Sequence, residues 1–168
     1  NVTLESMNTL NDVGWKLGIY PLARKSCDAF ANLKSANYLT YVLADLYAKE
    51  NGLDESLVMN SNNKIADGSK TNLFIIKGDE LFTPALHQGC VNGVMRHFVI
   101  EQCKQNNFVV HQTEVDVSML RNADEIFLTN ALQGIRWVAS FGEDNYRNTI
   151  TSTIYSMLFS NDEKRINY

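Results

Sequence analysis

Four separated segments carry groups whose types could do chemistry together. Lys34, in Asn32-Leu33-Lys34-Ser35-Ala36-Asn37-Tyr38, offers a primary amine just ahead of an apolar helical pattern. In a dry site a lysine loses part of its charge and becomes an imine-forming nucleophile. Asp67 lies 33 residues further on, in Ala66-Asp67-Gly68. A carboxylate placed against a heteroaromatic ring nitrogen keeps that nitrogen protonated and makes the ring an electron sink. Gly93-Val94-Met95-Arg96 opens a second helical pattern. Backbone N–H groups at a helix start suit a phosphate, and glycine lets the backbone come close to it. Thr129-Asn130-Ala131-Leu132-Gln133-Gly134 ends an apolar run with a hydroxyl, an amide side chain and backbone amides. That loop suits a second phosphate or carboxylate contact.

Each part has a plainer reading when taken singly. Lys34 reads as an exposed helix-start lysine, Asp67 as the aspartate of an Asp-Gly turn, Gly93 as an ordinary helix start, and residues 129–134 as a polar turn. In this order, amine, acid, phosphate-binding amides and polar loop are the parts of a pyridoxal phosphate site. Competing chemistries lack their spacing. His87, His97 and His111 have no HExxH or cysteine partner for zinc. No GxSxG, Walker or GxGxxG run occurs. The aromatic residues follow core-like spacing and form no base-stacking platform.

The bulk numbers agree with an enzyme domain that binds a small molecule. The chain has 168 residues, 45% of them hydrophobic and 20% charged, enough for one domain with a core. A net charge of −4 gives no field for nucleic acid or an anionic membrane. Cys27, Cys90 and Cys103 are odd in number and form no CxxC pair, which reads as reduced thiols in a cytoplasmic protein. No apolar run approaches the roughly 20 residues of a membrane span. The chain begins at Asn1 rather than Met, so a cut or processed piece of a longer protein is expected.

The elements that must position these groups can be read from periodicity. Residues 15–20 alternate like a short strand that Pro21 ends; residues 1–25 read as a linker or the tail of a preceding domain, and 26–168 as the cofactor-binding domain. A helix is expected over 37–50, with Tyr38, Leu39, Val42, Leu43, Leu46 and Tyr47 as its apolar face and Gly52 as its stop. Short strands are expected at 57–59, 72–76 and 80–82, with turns at Gly68 and Lys77-Gly78-Asp79. A second helix runs to about residue 105 and buries Val94, Phe98, Ile100 and Cys103. Strands follow at 108–114, 126–129 and 135–141, with a helical turn at 116–120 capped by Asp116. A last helix covers 146–159, and the polar residues from 160 onward fray. Strands and helices mix without regular βαβ alternation. The fold class is therefore α+β, a mixed or mostly antiparallel barrel-like sheet flanked by helices.

Lys34-Ser35-Ala36-Asn37-Tyr38, Asp67 with Asn72-Leu73-Phe74, Thr83-Pro84, Gly93-Val94-Met95-Arg96 and Asp124-Glu125-Ile126-Phe127 together resemble the class IV pyridoxal-phosphate aminotransferase family, of fold-type IV. The resemblance covers roughly residues 30–140, in order. It implies pyridoxal 5'-phosphate bound through Lys34, which also shuttles the proton. It implies Tyr38 near the ring hydroxyl, Asp67 at the ring nitrogen, and Gly93, Val94 and Met95 at the phosphate with Thr129 and Asn130. The amides of Ala131 and Leu132 would face the substrate carboxylate, and Asn72 would be structural. A homodimer acting on a small amino substrate is implied.

Within the family, aminotransferases commonly carry Gly-Ile-Thr-Arg at the phosphate helix and Gly-Thr or Ser-Thr in the later loop. Val91-Asn92-Gly93-Val94-Met95-Arg96 and Asn130-Ala131-Leu132 are more similar to aminodeoxychorismate lyase, which releases 4-aminobenzoate and pyruvate in folate synthesis. Branched-chain or D-amino acid aminotransferase, and a truncated dimerising domain without activity, are the alternatives. Two departures stand out. The family normally has glutamate where this chain has Asp67, one methylene shorter, or roughly 1.5 Å. Members also carry a smaller N-terminal domain with the phosphate-binding arginine, near the end of which this chain is expected to begin.

Overall fold

The computed structural model describes residues 10–159; the fraying expected from residue 160 lies outside the described residues. One mixed sheet organises the chain. β1 (Trp15–Lys25) is followed by helix α1 (Leu39–Glu50), β2 (Glu55–Asn60), β3 (Ile65–Gly68), β4 (Asn72–Lys77) and β5 (Glu80–Pro84). A 3-10 turn (Leu86–Gln88) leads to α2 (Val94–Gln105), β6 (Val109–Thr113), α3 (Val117–Arg121), β7 (Glu125–Asn130), β8 (Gly134–Phe141), β9 (Asp144–Asn145) and α4 (Thr149–Phe159). The spatial order is β3-β2-β1-β8-β7-β4-β5-β6, with β9 on β8, and the sheet curls as an open half-barrel flanked by helices.

β1 adds residues 15–25 to the sheet. It is an interior strand, parallel to both β2 and β8. Pro21 does not end it. Proline lacks an N–H, so the ladder with β2 breaks after Ile19 and resumes at Arg24↔Met59. Parallel neighbours need a helical crossover. β1-α1-β2 supplies one and β5-α2-β6 another, so the sheet contains two βαβ units that periodicity alone did not show.

The central antiparallel strands are apolar on both faces because both faces are covered. Leu73 and Ile75 of β4 join Ile126 and Leu128 of β7 in one cluster. Phe74, Ile76 and Phe127 point the other way, under α2 and α4, with Val99, Ile100, Cys103 and Ile154. Phe74 and Phe127 are cross-strand partners and stack with centroids 4.8 Å apart. Burying one such ring stabilises by roughly 1.5–3 kcal/mol.

Two helices turn a different face inward than the apolar count suggests. α1 buries Tyr41, Ala44 and Ala48, while Leu39, Val42, Leu43 and Leu46 are exposed. The small alanines let the helix sit close on β2, where the Ser56 hydroxyl donates to the Ala44 carbonyl at 2.7 Å. α2 buries Arg96, Val99, Ile100 and Cys103, an i, i+3, i+4, i+7 series, and leaves Val94 and Phe98 outside. Arg96 belongs to that face because its guanidinium donates to the Pro84 carbonyl and to Gln112.

Candidate active site

A cavity of about 710 Å³ opens where the start of β4, the end of β3, the end of β7 and the start of α2 converge. That size suits a cofactor or drug-sized ligand. Asn72 and Thr129 are directly paired there across β4 and β7. The turn from β3 to β4 is held by Glu55, a buried carboxylate on β2. It accepts from the Ser69 backbone at 3.0 Å, the Ser69 hydroxyl at 2.6 Å and the Thr71 hydroxyl at 3.0 Å. Lys34, Tyr38, Asp67, Gly93, Val94, Met95, Thr129, Asn130 and Ala131 all line the cavity; Leu132 does not.

Asp67 is 1% exposed. Tyr41 Oη donates to its two oxygens at 3.0 and 3.1 Å, and the Val91 N–H donates to Oδ2 at 2.7 Å. Lys25 Nζ stands 3.6 Å from Oδ2, an ion pair rather than a hydrogen bond. Burial pushes the Asp67 carboxyl up to about 6, against the opposing pull of Lys25, the Val91 amide and Tyr41. Burial, followed by the charge of Asp67, also holds the Tyr41 phenol far above its usual range, so it stays protonated and donates.

The start of α2 has the features of an anion cradle. Gly93 is its N-cap, in extended backbone and with no side chain capping the first turn, so the leading N–H groups lack intrahelical partners. A β-carbon at Gly93 would run into Asn72 Oδ1. Asn72 is itself fixed by donating to the Val91 carbonyl at 2.9 Å. Opposite, the Thr129 hydroxyl is buried without a hydrogen-bond partner, and so is Lys25 Nζ. Both residues line the cavity. Buried polar atoms are normally satisfied, so the Thr129 hydroxyl suits a polar ligand, whereas Lys25 Nζ has its ion pair with Asp67.

The loop at residues 129–134 closes on itself. Asn130 Oδ1 accepts from the Leu132 amide at 3.0 Å and the Gln133 amide at 2.7 Å. The Leu132 amide is thus spent on closing its own turn, and its side chain is 77% exposed. The Asn130 side chain thus closes a local turn at the cavity edge.

Lys34 lies on the irregular segment between β1 and α1, exposed at the cavity wall. Its loop is tied down by Asn32, which donates to the Leu86 and Cys90 carbonyls at 2.7 and 2.6 Å. The Asn92 amide returns a bond to the Asn32 carbonyl at 3.0 Å. These three bonds bring the lysine loop to the start of α2. Tyr38 packs its ring 5.4 Å from that of Tyr41. Sequence reasoning missed Lys25 and Tyr41. Lys25 fell in the segment read as a tail. Tyr41 lies one helical turn after Tyr38, a spacing that would have placed both on one face.

The wall is cationic in an acidic chain: Arg24, Lys25, Lys34 and Lys70 line it against Asp28 and Asp67. It combines a free amine, a buried carboxylate, an uncapped helix start and an orphaned hydroxyl. That donor set fits pyridoxal phosphate, which carries an aldehyde, a ring nitrogen and a phosphate.

A profile of the family described as amino-transferase class IV matches residues 5–141. The chain is 30% identical over 132 residues to the aminodeoxychorismate lyase of Bacillus subtilis (strain 168), covering 76% of this chain and 44% of that protein. It is 32% identical over 114 residues to the branched-chain amino acid aminotransferase 1, mitochondrial, of Humulus lupulus, covering 67% and 28%. Among solved structures, a Brucella abortus aminotransferase bound to the cofactor PLP superposes with a TM-score of 0.80 at 25% identity, over 88% of this chain and 54% of that one. The chain thus spans less than half the length of these two relatives. The match over residues 5–141 means that the chain belongs to the class IV amino-transferase family.

Proposed function

We propose that this chain provides the pyridoxal-phosphate wall of a class IV enzyme, and that its activity is aminodeoxychorismate lyase. The observation that carries the cofactor reading is the convergence of Lys34, Asp67, the Gly93 helix start and Thr129 on one cavity. When bound, the cofactor supplies an electron sink for charge developing at the substrate α-carbon. Lys34 would hold it covalently, and its Nζ, once released, takes up and returns the proton. Asp67 would meet the ring nitrogen. A carboxylate can accept about four hydrogen bonds, so capacity remains beyond those from Tyr41 and Val91. Val94 and Met95 would give amides to the phosphate, with the Thr129 hydroxyl as a further donor. Tyr38 would stand near the ring hydroxyl, and Ala131 beside the substrate carboxylate.

The lyase reading rests on two places without a side-chain hydroxyl, Met95 in the phosphate turn and Ala131 in the later loop. Losing one such contact costs about 0.5–1.5 kcal/mol, which tunes a site without dictating its chemistry. The alternative is a branched-chain or D-amino acid aminotransferase, and proteins with lyase and with branched-chain aminotransferase names match at similar identity. Side-by-side assays on the full-length protein decide between them. The reading expects pyruvate release from aminodeoxychorismate to exceed transamination of branched-chain and D-amino acids. Efficient transamination without pyruvate release moves the protein to the aminotransferase branch.

A further inference from the structure

Lys25 has no part in the mechanism above, yet it is a largely buried lysine on the cavity wall. Its side chain is 12% exposed, on an interior strand. Nζ makes no hydrogen bond. It stands 5.0 Å from the centroid of the Tyr41 ring and 3.6 Å from Asp67 Oδ2. Tyr41 in turn spends its hydroxyl on both Asp67 oxygens. Three elements therefore converge on one carboxylate: β1 through Lys25, α1 through Tyr41, and the segment before α2 through the Val91 amide.

We propose that Lys25 is a positioning residue that keeps the Asp67 carboxylate charged and aimed into the cavity, with Tyr41 as the second arm of the clamp. The physical need is plain. A carboxylate 1% exposed would otherwise take up a proton to escape the cost of burial. A neutral acid could not stabilise a protonated ring nitrogen. The other groups facing Asp67 do not replace Lys25. Burial pushes the Cys90 thiol up to about 11, which leaves it neutral. Arg96 on α2 is turned to the Pro84 carbonyl and Gln112. Tyr41 supplies a hydrogen bond but no positive charge. The arrangement also divides labour between two lysines on one wall. Lys25 is ion-paired with Asp67, while Lys34 has no ion-pair partner among the described residues. The link to catalysis rests on the reading that Asp67 meets the cofactor ring; the clamp itself does not.

The test is a pH titration of the full-length, cofactor-free protein labelled with carboxyl-13C aspartate, following Asp67 by NMR. Lys25→Met should move the Asp67 midpoint upward by about one pH unit or more, and Lys25→Arg should bring it back close to wild type. Equal midpoints in all three proteins overturn the proposal. Should Lys25→Met fail to fold, the wild type decides alone. The Lys25 Nζ resonance must shift at the Asp67 midpoint, and a flat Lys25 signal across it also overturns the proposal. Adding pyridoxal phosphate afterwards tests the cofactor reading separately, because an Asp67 signal that ignores the cofactor refutes that reading and leaves the clamp standing.

Discussion

At the scale of the residue, Thr129 and Asp67 on the cavity wall each give a direct test. The Thr129 hydroxyl is 1% exposed and unpartnered. Thr129→Val keeps the shape and removes an unsatisfied donor. It should leave thermal stability of the cofactor-free protein equal or slightly higher, and weaken pyridoxal phosphate binding by about 0.5–1.5 kcal/mol in a spectroscopic titration. Weakened folding with unchanged binding would make Thr129 structural. Asp67 is the second. Its folded value, about 6, lies above the ordinary 3.8. A carboxyl raised in this way binds its proton more tightly folded than unfolded. Its stabilising contribution is fully present below 3.8 and is lost as pH rises through about 6. Unfolding measured against Asp67→Asn should therefore show the wild type losing ground between those two values and then levelling off. A constant difference across that range contradicts the buried, raised carboxyl. Asp67 was legible as a cavity residue through the family resemblance of the run from Lys34 onward. Lys25 and Tyr41 were not, because their role exists only once β1, α1 and the Val91 segment meet.

At the scale of the element, the type of most helices and strands was legible and the face they bury was not. Leu39, Val42, Leu43 and Leu46 repeat at helical spacing, yet Ala44 and Ala48 face the sheet. Hydrophobic size marked the helix, while closeness to β2 selected the small side. This gives a direct check: Ala44→Leu should overpack the α1–β2 contact and cost about 1–3 kcal/mol in denaturant unfolding. No loss would mean that α1 does not sit against β2 as described. α4 has a related dependence on a distant residue. Glu125, at the start of β7, accepts from the Ile150 and Thr151 amides at 2.8 Å and from the Thr151 hydroxyl at 2.8 Å. It caps the helix in place of any local residue. Glu125→Gln turns one acceptor into a donor facing donors and should cost about 1–3 kcal/mol, read as a lower unfolding midpoint. Such a cap joins residues 25 and 26 positions apart, beyond the reach of any local pattern.

At the scale of the whole molecule, the sheet does one thing for function: it delivers segments from Lys34 to Ala131 to one cavity. The mixed sheet and its flanking helices were legible from strand and helix periodicities. The β1-α1-β2 crossover was hidden because β1 looked like a tail broken at Pro21; the elements of β5-α2-β6 were expected, but not the parallel pairing of β5 with β6. The central claim is that Lys34, among the lysines on this wall, is the one that bonds to the cofactor. Borohydride reduction of the full-length protein loaded with pyridoxal phosphate, followed by peptide mapping, tests it most directly. The account predicts a pyridoxyl group on Lys34 alone. A pyridoxyl group on Lys25 or Lys70, or no modified lysine at all, would contradict it.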